Sequence, residues 1–182
     1  MAKKAAVVMD TGFEELEAMG PIALLRRAGM EVDLVSAHNG DEVTGRFGVT
    51  YKPATPFKDY DFSNVDVLIV PGGGHWPKIE ANEEVKQVIR QFYDDPNKWL
   101  AAICAAPTIL GHMGLLKGKN YTCFTSMDED FGGTYIDQRA VVDGHLITGR
   151  SADASIDFAY AIMESVLGKE KTEEVKASIF AH

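Results

Sequence analysis

The chain has 182 residues, 46% of them apolar and 25% charged, which is the balance of a soluble globular protein long enough to bury a substantial core. Its formal net charge of −9, with no cluster of Lys and Arg to offset it, argues against nucleic acid or an anionic membrane as partner. Two cysteines, at 104 and 123, are too few for a disulfide framework and lack the C-x-x-C spacing of zinc and redox sites, so no metal is expected.

The opening residues lead straight into a short strand at Ala5–Met9, with neither the pattern of a secretory signal nor the length of a membrane span, so a cytosolic protein is expected. A helix follows over 14–28. Thr11 to Glu14 reads as its capping box, Gly20-Pro21 should kink or restart it, and Arg26, Arg27 and Gly29 end it. Val32–Ser36 is the next strand, a small ribbon occupies 41–53, and Val65–Val70 is a third strand. A helix over 82–93, the strand Leu100–Ile103 and a helix over 105–114 continue the alternation. Val141–Ile147 is a hairpin turned at Asp143-Gly144, and helices at 154–167 and 170–178 close the chain. The apolar strands are nearly continuous, as strands buried on both faces should be, so the sheet is mostly parallel. Neither repeat nor linker interrupts the pattern, and residues 1–182 read as one domain.

In an open doubly wound sheet, ligands bind outside the carboxyl ends of the strands, near the reversal of strand order. That rule selects the loops Asp10–Glu17, Pro71–His75 and Cys104–Pro107. Cys104 sits between an apolar strand and an apolar helix, beside Ala102, Ala105 and Ala106, as at a nucleophile elbow; unpaired N–H groups of the helix would favour a thiolate there. Its plainer reading is a small buried hydrophobe. Glu14 and Glu15 fit helix capping, whereas Glu17 lies a turn further in, over the crevice. Gly72, Gly73 and Gly74 form either a turn or an oxyanion-binding wall, and no phosphate-loop motif accompanies them. His75 reads as a solvated loop histidine or a ligand contact, His112 as structural, His145 as solvated and Cys123 as packing.

Several motifs then carry a resemblance: Val-Pro-Gly-Gly at 70–73, Ala-Ile-Cys-Ala-Ala-Pro at 102–107, Glu-Glu-Leu-Glu at 14–17, Arg-Arg-Ala-Gly at 26–29 and the run Val141–Arg150. In the same order along residues 4–178, they resemble the ThiJ/PfpI superfamily, most closely its deglycase branch. The resemblance implies a flavodoxin-like three-layer α/β sandwich that forms homodimers. It places the reactive cysteine at Cys104, a protonated carboxyl at Glu17, and the oxyanion-hole amides at Gly73 and Ala105. Gly72, Gly74, His75 and Phe124 are the further candidate pocket residues.

Two departures from that pattern bear on chemistry. A histidine directly follows the cysteine in the protease-like branch, and Ala105 stands there, which removes the general base for amide hydrolysis. The deglycase branch often has a histidine near the Cys123-Phe124 position, and its absence leaves Glu17 as the proton carrier. The expected function is cofactor-free conversion of small reactive aldehydes such as methylglyoxal, or of their glycation adducts, through a hemithioacetal and an enediol to a 2-hydroxy acid. Its rival is a redox sensor whose cysteine is oxidised to the sulfinate. A thiol amidase would require a histidine within reach of Cys104.

Overall fold

The computed structural model describes residues 2–181. Its elements are, in chain order, β1 (Lys4–Met9), α1 (Glu15–Arg27), β2 (Glu31–Ser36), β3 (Val43–Thr44), β4 (Thr50–Tyr51), β5 (Thr55–Pro56), β6 (Val67–Val70), α2 (Trp76–Ala81), α3 (Glu83–Asp94), β7 (Trp99–Ile103), α4 (Ala106–His112), β8 (Asn120–Tyr121), β9 (Thr134–Tyr135), β10 (Ala140–Asp143), β11 (Leu146–Gly149), α5 (Ser155–Leu167) and α6 (Lys169–Ser178). The main sheet has the order β10-β11-β7-β6-β1-β2-β5. All its pairings are parallel except β10 with β11. Strand order reverses between β1 and β6, so the crevice expected for ligands opens there.

Alternation along the buried strands divides the core into two layers. Ala5, Val7 and Met9 of β1, with Val67 and Ile69 of β6, face Leu25 of α1 and Phe158 and Ile162 of α5. Ala6, Val8, Leu68 and Val70 face the other way, onto Ile79 of α2, Ile89 and Phe92 of α3 and Ile109 of α4. This is the three-layer flavodoxin-like α/β sandwich with a small antiparallel hairpin. Among the described residues, no helix is long and apolar enough to cross a membrane.

Four local details depart from the sequence expectations. The cap of α1 is Glu14, whose carboxylate accepts from the Glu17 N–H at 3.0 Å, in place of a box begun at Thr11. The helix continues through Pro21 without a break, and Gly20 lets it approach α5 so closely that a Cβ there would lie 3.4 Å from Ser155 Cβ. The hairpin turns at Gly144-His145, since Asp143 pairs with Leu146 and Gly144 holds φ at +62°. Asp143 instead accepts from the Asn120 N–H at 2.8 Å. Helix α2, with proline in its first turn, was not expected from the sequence. At the other end of α1, Gly29 holds φ at +89° and the Met30 N–H returns to the Leu25 carbonyl at 3.0 Å, closing the helix as expected.

Candidate active site

The loops after β1, β6 and β7 meet at the strand reversal. Phe13 and Gly73 form an isolated antiparallel bridge, secured by the Glu14 N–H on the Gly72 carbonyl at 2.9 Å. Cys104 stands at the strand-to-helix bend with φ at +65°, and its N–H donates to the Gly149 carbonyl at 2.9 Å. A non-glycine residue in that left-handed conformation is strained, and such strain is held where the surroundings fix it. Here β11 supplies the fixing bond at the turn from β7 into α4.

Glu17 is fully buried in the first turn of α1. Its Oε2 accepts a 2.8 Å hydrogen bond from the Gly72 N–H, while Oε1 has no nitrogen or oxygen partner. The side chain coupled to this carboxyl is the Cys104 thiol. Gly72 permits the approach: a Cβ on it would lie 2.6 Å from Glu17 Oε2 and 2.8 Å from Cys104 Cβ. Gly73 is equally constrained, with φ at +99° and a hypothetical Cβ only 2.3 Å from the Glu14 nitrogen.

Desolvation pushes Glu17 up to about 7, opposed by the neighbouring Cys104 thiol and by the hydrogen bond from Gly72. Burial also pushes the Cys104 thiol above its ordinary range, and the Glu17 charge adds to this. The Ala105 N–H acts in the opposite direction without overcoming burial. The sequence expectation of a thiolate favoured by the helix start is therefore corrected: α4 is short, and desolvation with a neighbouring carboxyl outweighs its N–H groups. The two groups act as a pair in which a second negative charge is disfavoured.

Cys104 lines a cavity of about 170 Å³ together with Arg46, Gly73, Gly74, Trp76, Ala105, Phe124 and Met127. The amides of Gly73 and Ala105 donate to no backbone oxygen among the described residues, so both remain available to an oxyanion. Gly72 lies behind this cavity as the link to Glu17. Larger hollows lie elsewhere. One of about 770 Å³ at the amino ends of the strands is lined by Lys3, Lys4, Ser63, Asp66 and Lys98, with no cysteine among its lining residues.

His75 is the clearest correction among the candidate pocket residues. It is fully buried, accepts at Nδ1 from the Asp10 N–H at 2.9 Å and donates from Nε2 to the Pro71 carbonyl at 2.8 Å. The imidazole braces the β1 and β6 loops as a neutral ring, and burial lowers its pKa to about 4. His145, expected in solvent, instead directs Nδ1 to the carbonyls of Asp95 and Lys98. His112 is held between Glu80 and Glu129, and His38 beside Ser36. None of these four rings is committed to Cys104; His182 lies outside the described residues. Cys123 is buried and, like Cys104, a free thiol.

Sequence reasoning missed Arg46, Trp76 and Met127 as pocket residues. The signal for Trp76 was the Trp76-Pro77 pair directly after the glycines, which suits the start of a helix. Arg46 comes from the β3–β4 ribbon, tied over the site by its own N–H on the Phe13 carbonyl at 2.7 Å.

Residues 3–165 match the DJ-1/PfpI family. Protein dj-1beta of Drosophila melanogaster is 33% identical over 178 residues, covering 96% of this chain and 95% of its own length. Deglycase TK1284 of Thermococcus kodakarensis is 31% identical over 150 residues, covering 81% of this chain and 89% of its own. The crystal structure of the Drosophila DJ-1beta chain superposes with a TM-score of 0.92, at 33% identity and complete coverage of both chains.

Proposed function

This chain belongs to the DJ-1/PfpI family, and on that premise we propose that it is a cofactor-independent, cysteine-dependent enzyme acting on small reactive aldehydes or their glycation adducts. The observation that carries the proposal is the buried Glu17 carboxyl coupled to the Cys104 thiol at the mouth of a cavity fitted to a small molecule. The relative named a deglycase supports the substrate class.

With methylglyoxal, the sulfur bonds to the aldehyde carbon while the thiol proton passes by way of the Glu17 carboxylate to the former carbonyl oxygen, forming a hemithioacetal and leaving Glu17 ionised. The Gly73 and Ala105 N–H groups stabilise the negative charge developing on oxygen. Glu17, as carboxylate, takes the proton from the former aldehyde carbon and returns it to the adjacent carbon through the enediol, leaving a 2-hydroxyacyl thioester. Water cleaves that thioester, releasing lactate and the free thiol, so the net reaction consumes one water. A carboxyl near pKa 7 suits the task because it can both hold and release a proton at neutral pH. The test is lactate formation by the wild type, Cys104→Ser and Glu17→Gln.

A redox role is the second reading, favoured by the unpartnered Glu17 Oε1 beside the thiol. In its protonated form this oxygen would donate to a Cys104 sulfinate formed by peroxide and resist further oxidation. Intact mass after graded peroxide tests it: a stable gain of two oxygens at Cys104 supports the role, and progression to the sulfonate opposes it.

We also propose a homodimer. Leu16 of α1 is 61% exposed, and Phe47 and Val49 of the adjoining ribbon are 72% and 49% exposed. The ribbon is fixed to the helix by the Phe47 N–H on Glu15 Oε1 at 2.7 Å, next to Leu16, and a second copy would cover these exposed apolar side chains.

A further inference from the structure

We propose that His112 is a positioning residue for the pocket: its ring clamps the 124–131 segment against α2 and α4, holding Phe124 and Met127 at the wall of the Cys104 cavity. Nδ1 meets Glu80 Oε1 of α2 at 2.5 Å, and Nε2 meets Glu129 Oε2 of the segment at 3.2 Å. The Phe131 ring packs edge-on to the imidazole with centroids 5.6 Å apart. The same segment is also held by Thr108 Oγ1 of α4 on the Met127 carbonyl and by the Tyr121 hydroxyl on the Glu129 carbonyl, each long at 3.4 Å. Its backbone includes Ser126 at φ +73°, a conformation that needs holding. Phe124 and Met127 line the cavity, so the clamp acts on the site through them.

The chemistry of the ring makes the clamp depend on pH. An imidazolium donates from both nitrogens and satisfies both carboxylates, whereas neutral imidazole has one N–H and turns a lone pair toward the second carboxylate. The shorter bond to Glu80 keeps the proton, so the Glu129 arm lets go. The charged groups facing the ring are Glu80 from α2 and Glu129 from the segment, flanked by Asp128 and Asp130. Arg90 of α3 is spent on the Met113 carbonyl at 2.9 Å. Both carboxylates raise the His112 pKa, which extends the clamped state toward neutral pH. The ring and its partners are partly exposed, so the effect expected is several-fold.

The experiment is amide hydrogen exchange of the full chain at about pH 5.5 and about pH 8.5, corrected for intrinsic rates and referred to β1, in the wild type, His112→Gln, Glu129→Gln and His112→Lys. Protection of 124–131 should be about 3- to 10-fold greater at the lower pH in the wild type, lose that dependence in His112→Gln and Glu129→Gln, and stay high at both pH values in His112→Lys. A wild type without the pH dependence, or neutral variants that retain it, would overturn the proposal. A purely structural histidine would not be replaced by lysine in this way. The readout needs no turnover, so its failure is separate from failure of the proposed reaction.

Discussion

The Gly72 amide donates a 2.8 Å hydrogen bond to Glu17 Oε2 across the strand reversal, fixing one carboxyl oxygen and leaving the other without a nitrogen or oxygen partner beside Cys104. Glutamine at 17 keeps an acceptor for Gly72 and cannot carry the proton. Aldehyde turnover by Glu17→Gln should therefore fall at least about 100-fold in kcat.

The same substitution should change stability in a pH-dependent way. Glu17 rises from 4.5 to about 7 on folding, so between those values the folded state binds the proton that the unfolded chain releases. This contribution is complete below about 4.5 and is lost as pH rises through about 7. It amounts to about 3 kcal/mol at most. Urea unfolding should show the wild type losing stability relative to Glu17→Gln between those limits, with the variant gaining on it by pH 8.

His75 should act with the opposite sign. Its pKa falls from 6.5 to about 4 on folding, so its contribution is present above 6.5 and is lost as pH falls toward 4. His75→Gln should be less stable at neutral pH by about 1–3 kcal/mol, through its lost bonds to Asp10 and Pro71. The acid limb of its stability–pH curve should be shallower than that of the wild type.

Alanine at 73 and at 29 should differ in cost. Both glycines hold positive φ, yet a Cβ at Gly73 meets the Glu14 backbone at 2.3 Å whereas one at Gly29 meets nothing within 4 Å. Gly29→Ala should cost about 1 kcal/mol for the dihedral strain alone, and Gly73→Ala about 3 kcal/mol or more. Thermal unfolding would measure both, and equal costs would contradict the close approach.

Cys104 was legible in the sequence because its neighbours are local: an apolar strand before it, small residues around it and a proline opening the next helix. Helix spacing only suggested Glu17, and the resemblance supplied its place beside the cysteine; the approach itself depends on Gly72, which is 55 positions away. His75 was not legible, since both of its partners are backbone groups and no side-chain pattern records them. Arg46 and Met127 reach the cavity from a ribbon and a loop, where periodicity carries no information. The α/β alternation gave the sheet, while Pro21 misled: its local preference for a break lost to the packing of Gly20 against Ser155. The direction of the Cys104 shift was misread because burial, which no single motif encodes, exceeded the helix-end effect.

The exposed apolar side chains of Leu16, Phe47 and Val49 are expected to be covered by a second copy. Sedimentation velocity should show a dimer for the wild type and a shift to monomer for Leu16→Glu combined with Phe47→Glu. An unchanged dimer would place the interface elsewhere.

The most direct test of the central claim is lactate production from methylglyoxal, followed for the wild type and Cys104→Ser under identical conditions. Steady turnover by the wild type and none above background by the serine variant is the result expected. Equal lactate formation by the two proteins, or none by either, would contradict a Cys104-dependent aldehyde enzyme.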